Sequence, residues 1–104
     1  MPLAQIKMTP TQARIVAAAE LLTEGEVVSF GDLAAKAGCE NQSRAAGTTM
    51  ARFGETLPWW RVVYADGQLP PCNPSLQAER LSEEGVQLKG FRVIRSPKGR
   101  FASV

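Results

Sequence analysis

Histidine is absent from this chain of 104 residues. Its absence removes Ser-His and Cys-His nucleophile pairs and any histidine-ligated zinc site. Cysteine is scarce. Cys39 and Cys72 are the only two, far apart and without CxxC spacing, and they read as free thiols of a cytoplasmic protein. A two-cysteine metal site would need two carboxylates as well, and nothing clusters them, so neither a metal nor a cofactor is expected. No apolar run approaches the roughly 20 residues that cross a bilayer, and no membrane partner is expected. The first residues lack the charged region, apolar stretch and small-residue cleavage site of a secretory signal. Acidic residues are missing from one region. None follows Glu84, whereas Lys89, Arg92, Arg95, Lys98 and Arg100 do, five of the twelve basic residues. Net charge is only +2, but a basic end of this kind suits a polyanion such as nucleic acid; charge alone fits a solvated tail equally well.

The residues that are present spell out four helices, and the length suits one compact domain, 1–104. In "TPTQARIVAAAELL", Thr9 is a good N-cap, Pro10 suits the first helical position and Gln12 completes a capping box. Ile15, Val16, Ala19 and Leu22 form its apolar stripe, and Gly25 is the expected end. "EVVSFGDLAAKAG" gives a short extended lead at Val27 and Val28. A second helix follows, capped by Ser29 with Asp32 in reply, and stopped at Gly38. A third, "NQSRAAGTTMARFG", is expected to be capped by Asn41 and closed by Gly54. Helix, turn of about three residues, helix is the spacing of a helix-turn-helix.

The third helix has an unusual face. Ser43, Ala45, Ala46, Gly47, Thr48 and Thr49 are all small, and Arg44 is the one long charged side chain among them. A glycine in mid-helix costs about 1 kcal/mol. Small residues let a backbone approach another surface closely, which serves a neighbouring helix or an external ligand alike. "WRVVYADGQL" reads as a strand into a turn at Asp66 and Gly67. A rigid Pro70-Pro71 loop leads to a fourth helix capped by Asn73, begun by Pro74 and stopped by Gly85. "GFRVIRSPKGRF" reads as a terminal hairpin turning near residues 97–99. The fold class expected is mainly α with a small β element, a winged-helix-like helix-turn-helix domain.

Four blocks, "GEVVSFGDLA", "SRAAG", "LPWWRVV" and "ERLSEEGV", occur in this order and spacing. Together they resemble the DNA-binding domain of the O6-alkylguanine-DNA alkyltransferases, and more closely the alkyltransferase-like proteins. The resemblance covers roughly residues 9–88; residues 89–104 are left as a basic C-terminal hairpin or tail. The repair enzymes carry Pro-Cys-His-Arg-Val, in which the cysteine accepts the alkyl group and the histidine helps form its thiolate. Here the motif is Pro58-Trp59-Trp60-Arg61-Val62. Trp59 stands at the nucleophile position and Trp60 at the histidine position. The transfer needs a thiolate, and an indole does not supply one. The resemblance therefore implies damage recognition without repair: no catalytic residue, and not an enzyme.

The same resemblance implies that the helix-turn-helix enters the minor groove of duplex DNA containing O6-alkylguanine. That groove is about 6 Å wide, so only a helix with short side chains presses close. Ser43, Ala45 and Gly47 are the expected contacts. Arg44 matches the arginine finger that fills the space left by a flipped nucleotide, and flipping costs a few kcal/mol. Phe30 stands where the enzymes have a tyrosine against the phosphate beside the flipped base; it keeps the ring and loses the hydroxyl. Trp59, with a loop of Leu69, Pro70, Pro71 and Cys72, is expected to line the base pocket. Trp60 is expected to pack, Arg61 to brace the fold through buried hydrogen bonds, and Glu84 to be a structural remnant of the transfer network. Nucleotide excision repair proteins are the implied partners of a monomer that marks lesions for them.

Two other readings compete. A transcriptional regulator of helix-turn-helix type wants several long polar side chains on its recognition helix, and the third helix offers little beyond Arg44. A base-excising enzyme wants a positioned acid beside Trp59, for which Glu84 is the only candidate.

Overall fold

The computed structural model describes residues 7–102. Helix α1 spans Pro10–Glu20, strand β1 Glu26–Ser29, helix α2 Phe30–Lys36 and helix α3 Ser43–Phe53. Two short 3-10 turns, Gly54–Thr56 and Trp59–Arg61, lead into strand β2, Val62–Val63. Helix α4 is Pro74–Glu83, and three strands follow: β3 Gln87–Lys89, β4 Arg92–Arg95 and β5 Lys98–Gly99. This is the mainly helical domain with a small β element that the sequence implies.

Local chemistry fixes the helix starts. Thr9 Oγ1 accepts the Gln12 amide proton at 3.1 Å while Gln12 Oε1 accepts that of Thr9 at 3.0 Å, a reciprocal cap. Ser29 and Asp32 repeat the arrangement at the head of α2, both bonds at 3.0 Å. Such caps are worth about 1 kcal/mol each.

Four details differ from the sequence reading. α1 ends at Glu20 with Leu21 as its C-cap, well before Gly25. α3 is capped by Gln42 without a side-chain bond; Asn41 instead adopts φ 65, the left-handed region that asparagine tolerates. The connection between α2 and α3 runs over residues 37–42, longer than a three-residue turn, because it folds the buried Cys39 back so that its amide bonds the Ala34 carbonyl at 2.8 Å. The terminal hairpin lies earlier than expected. β3 and β4 pair antiparallel with the turn at Gly90, and residues 98–99 run parallel beside β1.

The small sheet has the order β2-β1-β5, all parallel. It separates two cores. Alternate residues of a strand face opposite ways, so Val28 and Val62 enter one core with Ile15, Ala19, Leu33, Ala46 and Met50, whereas Val27 and Val63 enter the other with Leu69, Leu81, Val86 and Val93. The first core is the underside of the helix-turn-helix; the second joins α4 to the hairpin.

A single carboxylate ties the two halves. Glu84, just past α4, accepts from Arg61 Nε at 3.0 Å, Arg61 Nη2 at 2.7 Å, Trp60 Nε1 at 2.8 Å and the Gly25 amide at 2.8 Å. Arg61 also donates to the Leu22 carbonyl at 2.8 Å. Burial alone would raise the Glu84 pKa, but the bonds from Arg61, Gly25 and Trp60 outweigh it and hold the carboxyl below its ordinary value. A carboxyl depressed in the folded state contributes stability that is present above its unfolded value, about 4.3, and is lost as pH falls through the lower folded value. Glu26 acts in the same direction: burial opposes ionisation, and the Thr23 amide and Lys36 reverse it. Glu84→Gln removes one side of a pair only 13% and 11% exposed, and should cost about 3 kcal/mol. Denaturant melts are expected to show that loss at neutral pH, with a shallower decline below about pH 4.3 than in the wild type; an equally steep acid decline in the variant would assign the pH dependence to other groups.

Candidate nucleic-acid interface

An open cleft of 1060 Å³ runs beside α3. Ser43, Arg44, Gly47 and Thr48 line it from that helix. Their spacing puts them on one side of it, and Ala46, Thr49 and Met50 are buried on the other. The head of α2 contributes residues 29–32, and the segment after β2 contributes Tyr64 and Ala65. Pro70, Pro71 and Cys72 complete the wall.

At position 47 the backbone of α3 is bare on the cleft side. A Cβ built on Gly47 would lie 4.0 Å from Phe30 Cδ1, ordinary contact distance, with nothing nearer. Phe30 in turn meets Tyr64, ring centroids 5.8 Å apart and planes tilted by 48°. The cleft therefore holds an aromatic pair next to a smooth stretch of helix, a surface on which a flat ring can stack. Its charges are mixed. Arg44 is exposed and has no hydrogen-bond or ion-pair partner among the described residues. Arg100 is held, its Nη1 3.2 Å from Asp32 Oδ1 and its Nε donating to the Ala65 carbonyl at 2.9 Å. Glu40 is the other acidic residue on the wall.

The cleft brings together most of the side chains singled out in the sequence: Phe30, Ser43, Arg44, Gly47, Pro70, Pro71 and Cys72. Three it does not. Ala45 packs against the first core and borders a separate groove with Thr9, Gln12 and Thr49, because it sits on the side of α3 that faces α1. Leu69 is buried in the second core at 3% exposure. Trp59 is not on the cleft wall either. The segment expected as a strand begins as a 3-10 turn, and this turn sends the two indoles to different places. Trp59 packs on the first core and Trp60 on the second, edge to face at 6.1 Å and 88°. The Arg80 guanidinium lies 5.7 Å from the Trp59 ring and 4.7 Å from that of Trp60. The two tryptophans stiffen the joint between the cores.

Sequence reasoning missed Tyr64 and Gln77, and it named Arg100 only as one of five cations in the basic end. Tyr64 is the only tyrosine in the chain, and its place beside Phe30 follows from a sheet register that no local pattern announces. Gln77 is buried at 2% and donates from Nε2 to the carbonyls of Trp60 and Val62, each at 3.1 Å, so α4 holds the tryptophan turn from behind. Its position, three residues into a helix begun by Asn73-Pro74, looks like any solvated glutamine.

Residues 10–86 match the family model of the 6-O-methylguanine DNA methyltransferase DNA-binding domain. The chain belongs to that family. It is 41% identical over 81 residues to the DNA base-flipping protein of Escherichia coli, a match that takes in 74% of this chain and 60% of the relative. The chain thus spans somewhat under two thirds of the length of that curated relative. Its fold is similar to that of S. pombe Atl1 in complex with damaged DNA containing O6-carboxymethylguanine, with 26% identity, a TM-score of 0.68, and 80% of this chain and 82% of that one covered. It is similar also to Mycobacterium tuberculosis OGT in complex with DNA, with 26% identity, a TM-score of 0.65, and 75% and 51% covered.

Space at position 47 separates folding from function. Gly47→Ala should stabilise the domain by about 1 kcal/mol, since a mid-helix glycine is replaced by the best helix former with room for its methyl. Chemical denaturation reads this directly, and a destabilised variant would mean that α3 packs more tightly at Gly47 than the cleft geometry allows.

Proposed function

We propose that the protein is a non-enzymatic sensor of O6-alkylguanine in duplex DNA. α3 enters the minor groove on its small-residue side, Arg44 fills the stack, and the damaged base turns out into the cleft. The observation that carries this reading is the juxtaposition on one wall of an exposed, unpartnered Arg44, the bare backbone at Gly47 and the Phe30–Tyr64 pair. An arginine without an ion-pair partner breaks no pair when it enters the base stack, and there its planar head both stacks and hydrogen-bonds, which offsets the water it loses. The names of the relatives, a base-flipping protein and a protein bound to alkylated DNA, support the same reading.

Alkyl transfer has no support from the residues present. Position 59 is an indole, packed on the first core and away from the cleft wall. Cys72 does border the cleft, but the chain has no histidine to draw its proton. A protein that binds a lesion and leaves it intact acts by handing it on. Recruitment of nucleotide excision repair proteins by a monomer on bent, flipped DNA is the corresponding role. The regulator reading loses ground because the cleft side of α3 offers one long polar side chain, Arg44.

Binding to duplexes with one O6-methylguanine or one guanine at the same position tests the proposal, with protein and DNA recovered afterwards. Selective binding with the lesion intact and the protein mass unchanged is expected. Gain of one methyl group by the protein, at Cys72 or elsewhere, would make it a transferase, and loss of the base would make it a glycosylase. Equal affinity for both duplexes with dependence on flanking sequence would make it a regulator. Arg44→Ala should weaken binding to the lesion duplex at least about tenfold, some 1.4 kcal/mol, and unchanged affinity would remove Arg44 from the stack. Trp59→Cys should not create methyl transfer, because Trp60 still stands in place of the base; label on residue 59 would overturn that.

A further inference from the structure

The basic end of the chain is delivered to the cleft at one residue. β5 runs parallel to β1 with Glu26 opposite Lys98 and Val27 opposite Gly99. Gly99 has φ 87, and a Cβ there would land on the Val27 carbonyl oxygen, so only glycine lets this strand approach. The next residue is Arg100. Its amide bonds the Val27 carbonyl at 2.9 Å, which fixes the backbone, and its side chain reaches the cleft wall. There Nε donates to Ala65 O at 2.9 Å, and Nη1 lies 3.2 Å from Asp32 Oδ1 and 3.4 Å from Oδ2.

Resting on the reading of the cleft as a DNA site, we propose that Arg100 is a phosphate-binding residue whose partner changes from Asp32 to the DNA backbone on binding. Both partners of the present pair are solvated, 38% and 34% exposed. Giving up a solvated ion pair of this kind costs little. A backbone phosphate offers the guanidinium the same paired acceptors and the same single charge, within a row of like phosphates whose counterions are released on contact. Asp32 has a second occupation that does not need Arg100: its Oδ2 accepts the Ser29 amide at the head of α2. The arrangement also solves an electrostatic problem. Asp32 places a negative charge on a wall that must meet a polyanion, and Arg100, next to it, cancels that charge. Among the described residues on the cleft wall the cations are Arg44 and Arg100. The two divide the work: Arg44 on the helix reads the disturbed stack, and Arg100 on the sheet edge grips backbone regardless of sequence or damage.

The two roles separate in a salt titration of binding to lesion and control duplexes. Each phosphate contact contributes about 0.9 to the slope of log K against log salt. Arg100→Gln is expected to weaken both duplexes by the same factor, lower the slope by about 0.9 and leave the lesion preference unchanged. Arg100→Lys should restore the slope. Asp32→Asn, which keeps an acceptor for the α2 cap, should bind both duplexes at least as tightly as wild type with its slope unchanged, since Arg100 remains. An unchanged slope in Arg100→Gln overturns the proposal, and so does a parallel loss of binding in Arg100→Gln and Asp32→Asn, which would mark the pair as a structural brace. Melts of each variant show whether the fold is intact. If wild type binds duplex DNA without lesion preference, the sensor reading fails while the slope comparison still decides the role of Arg100. If wild type is selective and Arg100→Gln keeps the slope, this inference fails alone.

Discussion

The cleft depends on a carboxylate that never touches it. Glu84 gathers the guanidinium of Arg61, the indole N–H of Trp60 and the amide of Gly25 within 3.0 Å. Those three groups lie at the tryptophan turn, in front of β2, and at the approach to β1. β1 and β2 are the two strands whose ends carry the heads of the cleft: Phe30 follows β1 directly, and Tyr64 follows β2 directly. With four donated bonds on two oxygens the carboxylate is fully used and stays ionised although burial opposes it. A largely buried charge of this kind is expensive to assemble and costly to break, which suits a joint between two small cores on opposite faces of a narrow parallel sheet.

The tryptophans acquire their meaning from this joint. In the family motif, positions 59 and 60 are those of a nucleophile and its base. In this chain they are wedges, one in each core, with Arg80 over both rings and Gln77 holding the carbonyls beneath. Packing stands where the motif has chemistry, and the proposed recognition surface lies instead along α3, Phe30, Tyr64 and the proline loop. A domain of this size buries a modest core. The joint holds the ends of β1 and β2, and with them Phe30 and Tyr64, in place beside α3.

What was legible in the sequence follows the range of each interaction. The caps at Thr9 and Ser29 use partners three residues away, and they stand as read. The small face of α3 was plain, but which of its residues point to the cleft was not: Ala45 is one residue from Arg44 and faces α1. The start of α3 was misplaced because asparagine serves a cap and a left-handed turn equally well. The strand expected through Trp60 was misread because β-branched and aromatic residues favour strands, whereas Pro58 and the need to send two indoles to two cores impose a 3-10 turn. The place of Arg100 on the cleft was beyond reach, because it depends on a parallel pairing of residues more than seventy apart, admitted by the missing side chain of Gly99. A terminal hairpin is legible but set too late, since residues 98–99 join that pairing and the turn falls at Gly90.

Lesion sensing by this domain requires that a base leave the duplex and enter the cleft between α3 and the proline loop. Cys72 makes this measurable, since it is exposed on that wall while Cys39 is buried. A duplex whose guanine carries a short thiol tether at O6, activated as a mixed disulfide, exchanges with a cysteine only if the base reaches it. A flipped base gives a cross-link to Cys72 and none to Cys39, competed away by an O6-methylguanine duplex and lost in Arg44→Ala. Lesion-selective binding with no cross-link at Cys72 would contradict entry of the base into the cleft.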